Sequence, residues 1–245
     1  MKINREPCFI EPSIWRKLRP PIGPGVILFP DMRLMEKYAE KAGLNREKSI
    51  RINQHNYLPP IQENGFGAAG PALGAPMAAA LSEVLIALGS KAVILMGYCG
   101  AIGKGIFIGD WVIPTWAYSE EGTSSHYLPG KIFSSDPMLT ASLHRRLLET
   151  GRKLHVGPTW TTDAFYRETK SKVAFHRESG RLAVEMELSA VFSVASYRGI
   201  KAGALLIVSD MLTKYMWVPG FKTPPLQASV DQAITELAQL KCHIL

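Results

Sequence analysis

Short apolar runs alternate with amphipathic helical segments along most of this chain, and this alternation constrains the fold more than any other feature. Two of the runs, Ala92–Met96 and Ala202–Val208, contain no polar side chain, which is typical of strands buried on both faces. Such strands need helices on either side to exclude water. The sequence therefore predicts an α/β fold, a three-layer α/β/α domain with a central mixed, largely parallel sheet. We expect residues 1–245 to form one such domain.

The bounds of the individual elements follow from the same patterns. Predicted strands are Gly25–Phe29, Ala92–Met96, Asp110–Ser119, Val156–Thr162 and Ala202–Val208, and predicted helices are Asp31–Ala42, Met77–Leu88, Pro137–Thr150, Glu187–Arg198 and Gln227–Leu240. The small-residue stretch 65–76 is predicted as a loop and the glycine-punctuated stretch after Met96 as a turn, whereas the polar stretch 44–64 gives no clear prediction. Ligands of such a sheet bind beyond the carboxyl ends of its strands.

Composition narrows the class of protein. No apolar stretch approaches the ~20 residues that cross a bilayer, so we expect a soluble cytoplasmic protein without a membrane partner. The formal net charge of +7 comes from scattered Lys and Arg, which argues against nucleic acid as a partner. Cys8, Cys99 and Cys242 are too widely spaced for a disulfide framework or a zinc site, and the histidine spacing predicts no metal.

Two of the predicted strands are followed by segments that suit a binding site. The glycines of Gly97-Tyr98-Cys99-Gly100 would leave backbone amides free to face an anion or a substrate oxygen. An ordinary turn is the competing interpretation. Asp210 follows the second strand, where a carboxylate is either a functional group or a helix N-cap.

Two further carboxylates, Glu185 and Glu187, lie in a mostly apolar neighbourhood. In an extended segment both would point to the same side, and burying two carboxylates is costly unless donors or a ligand meet them. The pair therefore indicates a functional site. The alternative is that both lie in the first turn of the following helix and favour its dipole.

An ordered set of motifs makes the prediction more specific. The set consists of Gly70-Pro-Ala-Leu-Gly74-Ala-Pro76, Gly97-Tyr-Cys-Gly100-Ala101, Gly109-Asp110, Glu121–Tyr127, Thr162-Asp-Ala-Phe165-Tyr166, Val184-Glu-Met-Glu187 and Val208-Ser-Asp210. In order and approximate spacing it resembles the uridine and purine nucleoside phosphorylase family over about residues 65–213. The resemblance implies a pentosyltransferase that cleaves the N-glycosidic bond, most simply by phosphorolysis of a purine nucleoside to free base and pentose 1-phosphate. It implies no cofactor beyond phosphate as co-substrate, and a homo-oligomer, either a dimer or a trimer of dimers.

The resemblance also implies roles for individual residues. Glu187 would accept hydrogen bonds from the ribose hydroxyls, Met186 would pack against the sugar, and Phe165 would stack on the base. Asp210 would be the acid near the purine N7, where protonation helps the base to leave. The rest of the substrate pocket would come from Gly97, Tyr98, Cys99 and Glu185. The stretch Arg167–Ser171 lacks the Gln and Arg with which uridine-specific relatives read a pyrimidine, which favours a purine.

The chain departs from the family where phosphate binds. Leu95 and Tyr98 replace an Arg and a Ser or Thr, and an apolar Leu cannot replace a bidentate guanidinium. Pro30 stands where a glycine precedes the family's other phosphate loop. Arg33, Arg51 or a neighbouring subunit remain as candidates to hold phosphate. These departures leave two alternatives open, a hydrolytic nucleosidase and a non-catalytic protein that binds a nucleoside or a base.

Overall fold

The computed structural model describes residues 7–19, 21–52, 54–60 and 65–242. The ends of the predicted domain, residues 1–6 and 243–245, lie outside these ranges. The strands are β1 Gly25–Leu28, β2 Ile50–Ile52, β3 His55–Leu58, β4 Phe66–Gly70, β5 Ala92–Ala101, β6 Trp111–Ser119, β7 Ile132–Ser134, β8 Leu154–Thr161, β9 Ala183–Glu185, β10 Lys201–Leu212 and β11 Trp217–Pro219. The helices are α1 Trp15–Leu18, α2 Met32–Lys41, α3 Ala75–Ala87, α4 Pro137–Leu148, α5 Lys170–Glu178, α6 Leu188–Arg198 and α7 Pro224–Ala238.

All these strands join one mixed sheet. Its centre is parallel, since β1 pairs in parallel with β4 and β5, and β5 pairs in parallel with β10. The outer pairs β2–β3, β3–β4 and β10–β11 are antiparallel. The predicted mixed sheet is therefore confirmed. The sheet also closes partly on itself, because β10 pairs with both β5 and β6, a feature that was not predicted from the sequence.

Helices cover both faces of the sheet, which confirms the predicted three layers. On one face, α3 and α6 pack Leu81, Leu85 and Phe192 against the sheet in a core that includes Leu95. On the other face, α2, α4 and α7 pack against strand residues that include Ile94. Neighbouring residues of β5 thus enter opposite cores, because side chains alternate across a strand. Buried on both faces, such a strand must be apolar at every position.

Two segments predicted as a loop and a turn are strands. Phe66–Gly70 forms β4, and its small residues reflect close packing, since a Cβ on Gly70 would lie 2.5 Å from the carbonyl oxygen of Phe29. Strand β5 continues through the predicted turn to Ala101. Tight backbone approach requires small residues in strands as well as in turns, so composition alone did not distinguish the two. Helix α5 and strands β2 and β3 had no counterpart in the prediction.

Candidate active site

A cavity of about 620 Å³ opens at the carboxyl ends of β5 and β10, beside β9. Its lining brings together every residue that the sequence predicted for the substrate side: Gly97, Tyr98, Cys99, Phe165, Glu185, Met186, Glu187 and Asp210. Five of the lining residues carry carboxyl groups, namely Asp31, Glu168, Glu185, Glu187 and Asp210. Within the part of the chain that the structure describes, no Lys, Arg or His lines this cavity. It can therefore accept hydrogen bonds from a ligand much more readily than it can hold an anion.

A β-bulge directs Asp210 into the cavity. The pairing of β10 with β5 shifts register between Val208 and Asp210, so Ser209 is the extra residue. Bulges re-aim side chains in this way beside functional sites. Opposite the bulge, a Cβ on Gly100 would lie 3.1 Å from Oδ2 of Asp210, which explains the glycine there. The helix N-cap interpretation of Asp210 is wrong, because the residue lies inside β10 and is followed by a hairpin.

Both carboxylate oxygens of Asp210 accept hydrogen bonds. The hydroxyl of Ser209 donates to Oδ1 at 2.7 Å, and the indole Nε1 of Trp217 donates to Oδ2 at 2.8 Å. Trp217 begins β11, which returns antiparallel to β10 after a turn that Thr213 closes. The turn fixes the register of the hairpin and thereby places the indole against the carboxylate. The carboxylate is thus held in one orientation by its own strand and by the next one.

Glu168 provides a second carboxyl group beside Asp210. It ends the single turn of 3₁₀ helix Phe165–Arg167, and it lines the cavity with a half-buried side chain. Burial, and then the charge of Asp210, raise the pKa of Glu168 to about 7. At neutral pH Glu168 is therefore protonated in about half of the molecules, although in water it would be ionised in nearly all of them.

Glu185 caps the helix that follows it. Its Oε2 accepts hydrogen bonds from the amides of Glu187 and Leu188, both at 2.7 Å, and its Oε1 accepts from the hydroxyl of Thr161. These contacts satisfy the first free amides of α6. Burial nevertheless raises the pKa of Glu185 to about 7 against these hydrogen bonds. Glu185 therefore has a structural role, because it caps α6 and forms part of the cavity wall.

Glu187 lines the same cavity, but its side chain does not cap α6. It precedes α6, and its Oε1 accepts a hydrogen bond of 2.7 Å from the amide of Gly74. Gly74 has a φ of 81°, a conformation that favours glycine, and this brings the loop before α3 up to the carboxyl group. Burial, and then the charge of Glu185, raise the pKa of Glu187 to about 8. A buried carboxyl group with few protein donors is suited to accept hydrogen bonds from ligand hydroxyls.

Aromatic side chains line the same cavity. Phe165 is half exposed, and its ring centroid lies 4.0 Å from that of Tyr166. Trp217 and Phe221 approach from the other side, with centroids 6.5 Å apart. Exposed rings that flank a cavity provide flat apolar surfaces on which a planar heterocycle can stack.

The residues considered for phosphate are scattered. Leu95 is fully buried in the core, and Tyr98 lines the cavity with its side chain partly buried against the opposite core. Burial, and then the charge of Asp31, raise the pKa of Tyr98 to about 12. Asp31 itself accepts from the amides of Arg33 and Leu34, so a carboxylate already occupies the N-terminus of α2. Arg33 is exposed beside it, and Arg51 lies on the outer strand β2.

Sequence reasoning missed Glu168 and Trp217. Glu168 had been considered only as a departure from a pyrimidine-reading motif, although its place three residues after Phe165 puts it on the same short turn. Nothing in the local sequence singles out Trp217, since its contact with Asp210 depends on the hairpin. Among the described residues, no cluster of three or more His, Cys, Asp or Glu is arranged to hold a metal ion. No described helix is both long and apolar enough to cross a bilayer.

A partly closed mixed sheet with a carboxylate-lined cavity at its strand ends defines an enzyme-like α/β protein. The profile of the phosphorylase superfamily matches residues 38–245, and the chain belongs to this superfamily. The family resemblance predicted from the motifs is therefore confirmed.

Individual relatives agree with this assignment. A guanosine phosphorylase from Halorubrum lacusprofundi is 34% identical over 142 residues, which are 57% of this chain and 58% of the relative. A purine nucleoside phosphorylase from Myxococcus xanthus is 27% identical over 76% of this chain and 80% of the relative. The chain thus matches about three fifths of the length of the Halorubrum relative and of a purine nucleoside phosphorylase from Bacillus cytotoxicus.

Solved structures share the fold. Uridine phosphorylase from Vibrio fischeri ES114 superposes with a TM-score of 0.72 at 20% identity, over 91% of this chain and 89% of that structure. AMP nucleosidase from Bacteroides thetaiotaomicron superposes with a TM-score of 0.70 at 22% identity, over 88% of each chain. At such identities the comparison supports the architecture and leaves the reaction to be argued from the site.

Proposed function

We propose that this protein cleaves the N-glycosidic bond of a purine nucleoside, with phosphate as the acceptor of the pentose. The observation that carries this proposal is the convergence of Phe165, Glu187 and Asp210 on one cavity. A nucleoside has a planar base, a sugar with vicinal hydroxyls and a basic ring nitrogen. The cavity offers one suitable group for each of these, an aromatic face, a buried carboxyl group and an acidic pair.

The base leaves most readily when its ring nitrogen N7 is protonated, because the departing base is then neutral. Both oxygens of Asp210 accept hydrogen bonds, whereas burial and the charge of Asp210 raise the pKa of Glu168 to about 7. We therefore assign the proton to the pair, with Glu168 storing it and Asp210 keeping it there by its charge. Asp210 and Glu168 together act as the general acid.

The sugar develops positive charge as the bond to the base breaks, and nearby negative charge such as that of phosphate stabilises it. Glu187 accepts from the 2′ and 3′ hydroxyls, and Met186 packs against the ring of the sugar. Glu185 does not contact the ligand in this proposal. It holds Glu187 in place through the amides at the start of α6.

Phosphate requires a countercharge that the described lining lacks. Arg33, exposed beside Asp31 at the start of α2, is the proposed source within the chain, and Arg51 of β2 is the more remote candidate. A second copy of the chain is the other source, in keeping with the expected homo-oligomer. Either way, we propose weak phosphate binding, because an anion must be held beside several carboxylates.

A hydrolytic reaction is the second candidate, and the absence of Lys, Arg and His from the described cavity lining favours it. A neutral water needs no countercharge. The same panel of nucleosides tests both reactions: inosine, guanosine, adenosine and uridine, each with and without phosphate, with the released base and sugar identified by chromatography. Purine release that depends on phosphate and yields pentose 1-phosphate supports phosphorolysis, and phosphate-independent release of free pentose supports hydrolysis. Tight binding of a purine nucleoside without any release would leave a non-catalytic binding protein.

A further inference from the structure

A second cavity adjoins the active-site cavity and takes no part in the proposed reaction. It measures about 300 Å³ and lies between α5 and the hairpin of β10 and β11. Glu168, Leu212 and Trp217 line both cavities, so these three side chains form the partition between them. We call this second cavity the annex.

The partition stands beside the acidic pair. Trp217 donates its indole hydrogen to Asp210. Glu168 is the carboxyl group whose pKa is raised by burial and then by the charge of Asp210. In a purine, N7 and the exocyclic group on carbon 6 share one edge of the ring system. A base whose N7 faces the acidic pair therefore presents its 6-substituent towards the partition and the annex behind it.

The annex is apolar at its centre and charged at its rim. Val173, Ala174 and Leu212 are buried or half-buried, while Lys170 and Lys214 are exposed. Arg177 is already engaged, since its Nε donates to the carbonyl of Ile102 at 2.6 Å and its Nη2 to that of Leu212 at 2.5 Å. Its guanidinium thus ties α5 to β10, and these donors are not free to bind a ligand. The exposed lysines remain hydrated, with their alkyl stems against the apolar surface.

We propose that the annex is a second substrate subsite, which takes an aromatic or branched aliphatic substituent on the exocyclic 6-position of the purine. This inference rests on the proposed function for the orientation of the base. The size is sufficient, because an apolar cavity of about 150 Å³ already accommodates a benzene ring. The chain would then accept 6-substituted purine nucleosides that a closed base pocket excludes.

The test compares adenosine, N6-benzyladenosine and N6-carboxymethyladenosine, with and without phosphate. We expect the wild type to cleave N6-benzyladenosine with a kcat/KM within about tenfold of that for adenosine. Ala174→Trp fills the annex and should lower the benzyl-to-adenosine ratio of kcat/KM by about tenfold or more, the magnitude typical of excluding a ring from an apolar site. Glu178→Trp, an exposed position at the end of α5 outside the annex lining, is the matched control and should leave the ratio unchanged. Ala174→Leu fills the annex less and serves if the Trp variant does not fold.

Three results would overturn the subsite: cleavage of adenosine without cleavage of N6-benzyladenosine, a ratio that neither Ala174 variant changes, or a preference for the carboxymethyl substrate. Calorimetric binding of N6-benzyladenine and adenine separates this inference from the reaction. If no nucleoside is cleaved but N6-benzyladenine binds and Ala174→Trp weakens its binding, the proposed reaction fails and the subsite stands. If the two bases bind equally and Ala174→Trp does not change their binding, the subsite is excluded as well.

Discussion

The indole Nε1 of Trp217 donates a hydrogen bond to Oδ2 of Asp210 at 2.8 Å, across the two strands of the β10–β11 hairpin. Asp210, which we propose as part of the general acid, is therefore positioned by a side chain that reaches the site only because the hairpin folds back. A hydrogen bond to a charged group contributes about 1.5–3 kcal/mol, enough to fix one orientation of the carboxylate.

Trp217→Phe should lower kcat for a purine nucleoside by about tenfold or more, because the ring remains but the donor to Asp210 is lost. KM should change much less, since the aromatic surface is kept. Steady-state kinetics measures both kcat and KM. Tyr215→Phe, on the exposed turn of the same hairpin, is the control and should behave like the wild type. Unchanged kcat in Trp217→Phe would show that the hydrogen bond does not contribute to catalysis.

Asp210 and Glu168 should differ in their effect on the pH profile. Glu168 must be protonated to supply the proton, and its pKa is raised to about 7, so wild-type kcat/KM should fall as the pH rises through about 7. Glu168→Gln should remove this limb and lower the maximal rate. Asp210→Asn should lower turnover by the ~10²–10⁴-fold typical of a lost general acid and move the remaining limb to lower pH, because only burial then raises the pKa of Glu168 and the charge that adds to it is gone.

Two results would count against this assignment. Equal turnover by Asp210→Asn and the wild type would remove Asp210 from the mechanism. A limb near pH 7 that persists in Glu168→Gln would place the titrating group elsewhere. Glu178→Gln, on an exposed residue of α5, is the control for a charge change and should alter neither quantity.

Glu187→Gln should reduce the dependence of stability on pH. The pKa of Glu187 in the folded protein is raised to about 8, so folding favours its protonated form, and the stability contributed at low pH is lost as the pH rises through about 8. The glutamine cannot ionise, so the Tm of the variant should rise relative to that of the wild type by several degrees between pH 6 and pH 9. Thermal melts across that range measure the difference, with the exposed Glu47→Gln as control. If the Tm of Glu187→Gln and the Tm of the wild type change with pH by the same amount, ionisation of this carboxyl group does not destabilise the folded protein.

Leu95→Arg should destabilise the folded protein and should not restore a phosphate site. Leu95 is fully buried in the core, and an unpaired guanidinium there costs several kcal/mol. The near-isosteric Leu95→Met should melt within a few degrees of the wild type.

For the wild type itself we expect activity that either needs a high phosphate concentration or does not depend on phosphate. Tight, saturable use of phosphate would show that the substitutions at Leu95 and Tyr98 had been misinterpreted.

A homo-oligomer remains a prediction of the family resemblance, and light scattering tests it. We expect at least a dimer at working concentrations, since a second copy is one source of the cations that the described cavity lining lacks. A monomeric mass would leave Arg33 and Arg51 as the candidates for holding phosphate. The cytoplasmic location and the single domain over residues 1–245 likewise remain predictions.

The layers of the fold and eight of the residues that line the cavity could be predicted from the sequence by itself. Uninterrupted apolar runs such as Ala92–Met96 are typical of strands covered on both faces, and this is a local property that a pattern records. Ordered motifs then selected the family, and with it Phe165, Glu187 and Asp210, because the residues that contact a ligand are tied to fixed places along the chain.

Only the tertiary structure decided how those residues share the work. Glu185 and Glu187 are alike in the sequence and both line the cavity, but Glu185 caps α6 while Glu187 accepts a hydrogen bond from Gly74, because the chain turns from strand to helix between them. Asp210 faces its cavity because of a bulge at Ser209, and Trp217 reaches it through a hairpin. Such contacts join residues by pairing register and by closure of the sheet. These are non-local properties, and no pattern within a short stretch of sequence encodes them.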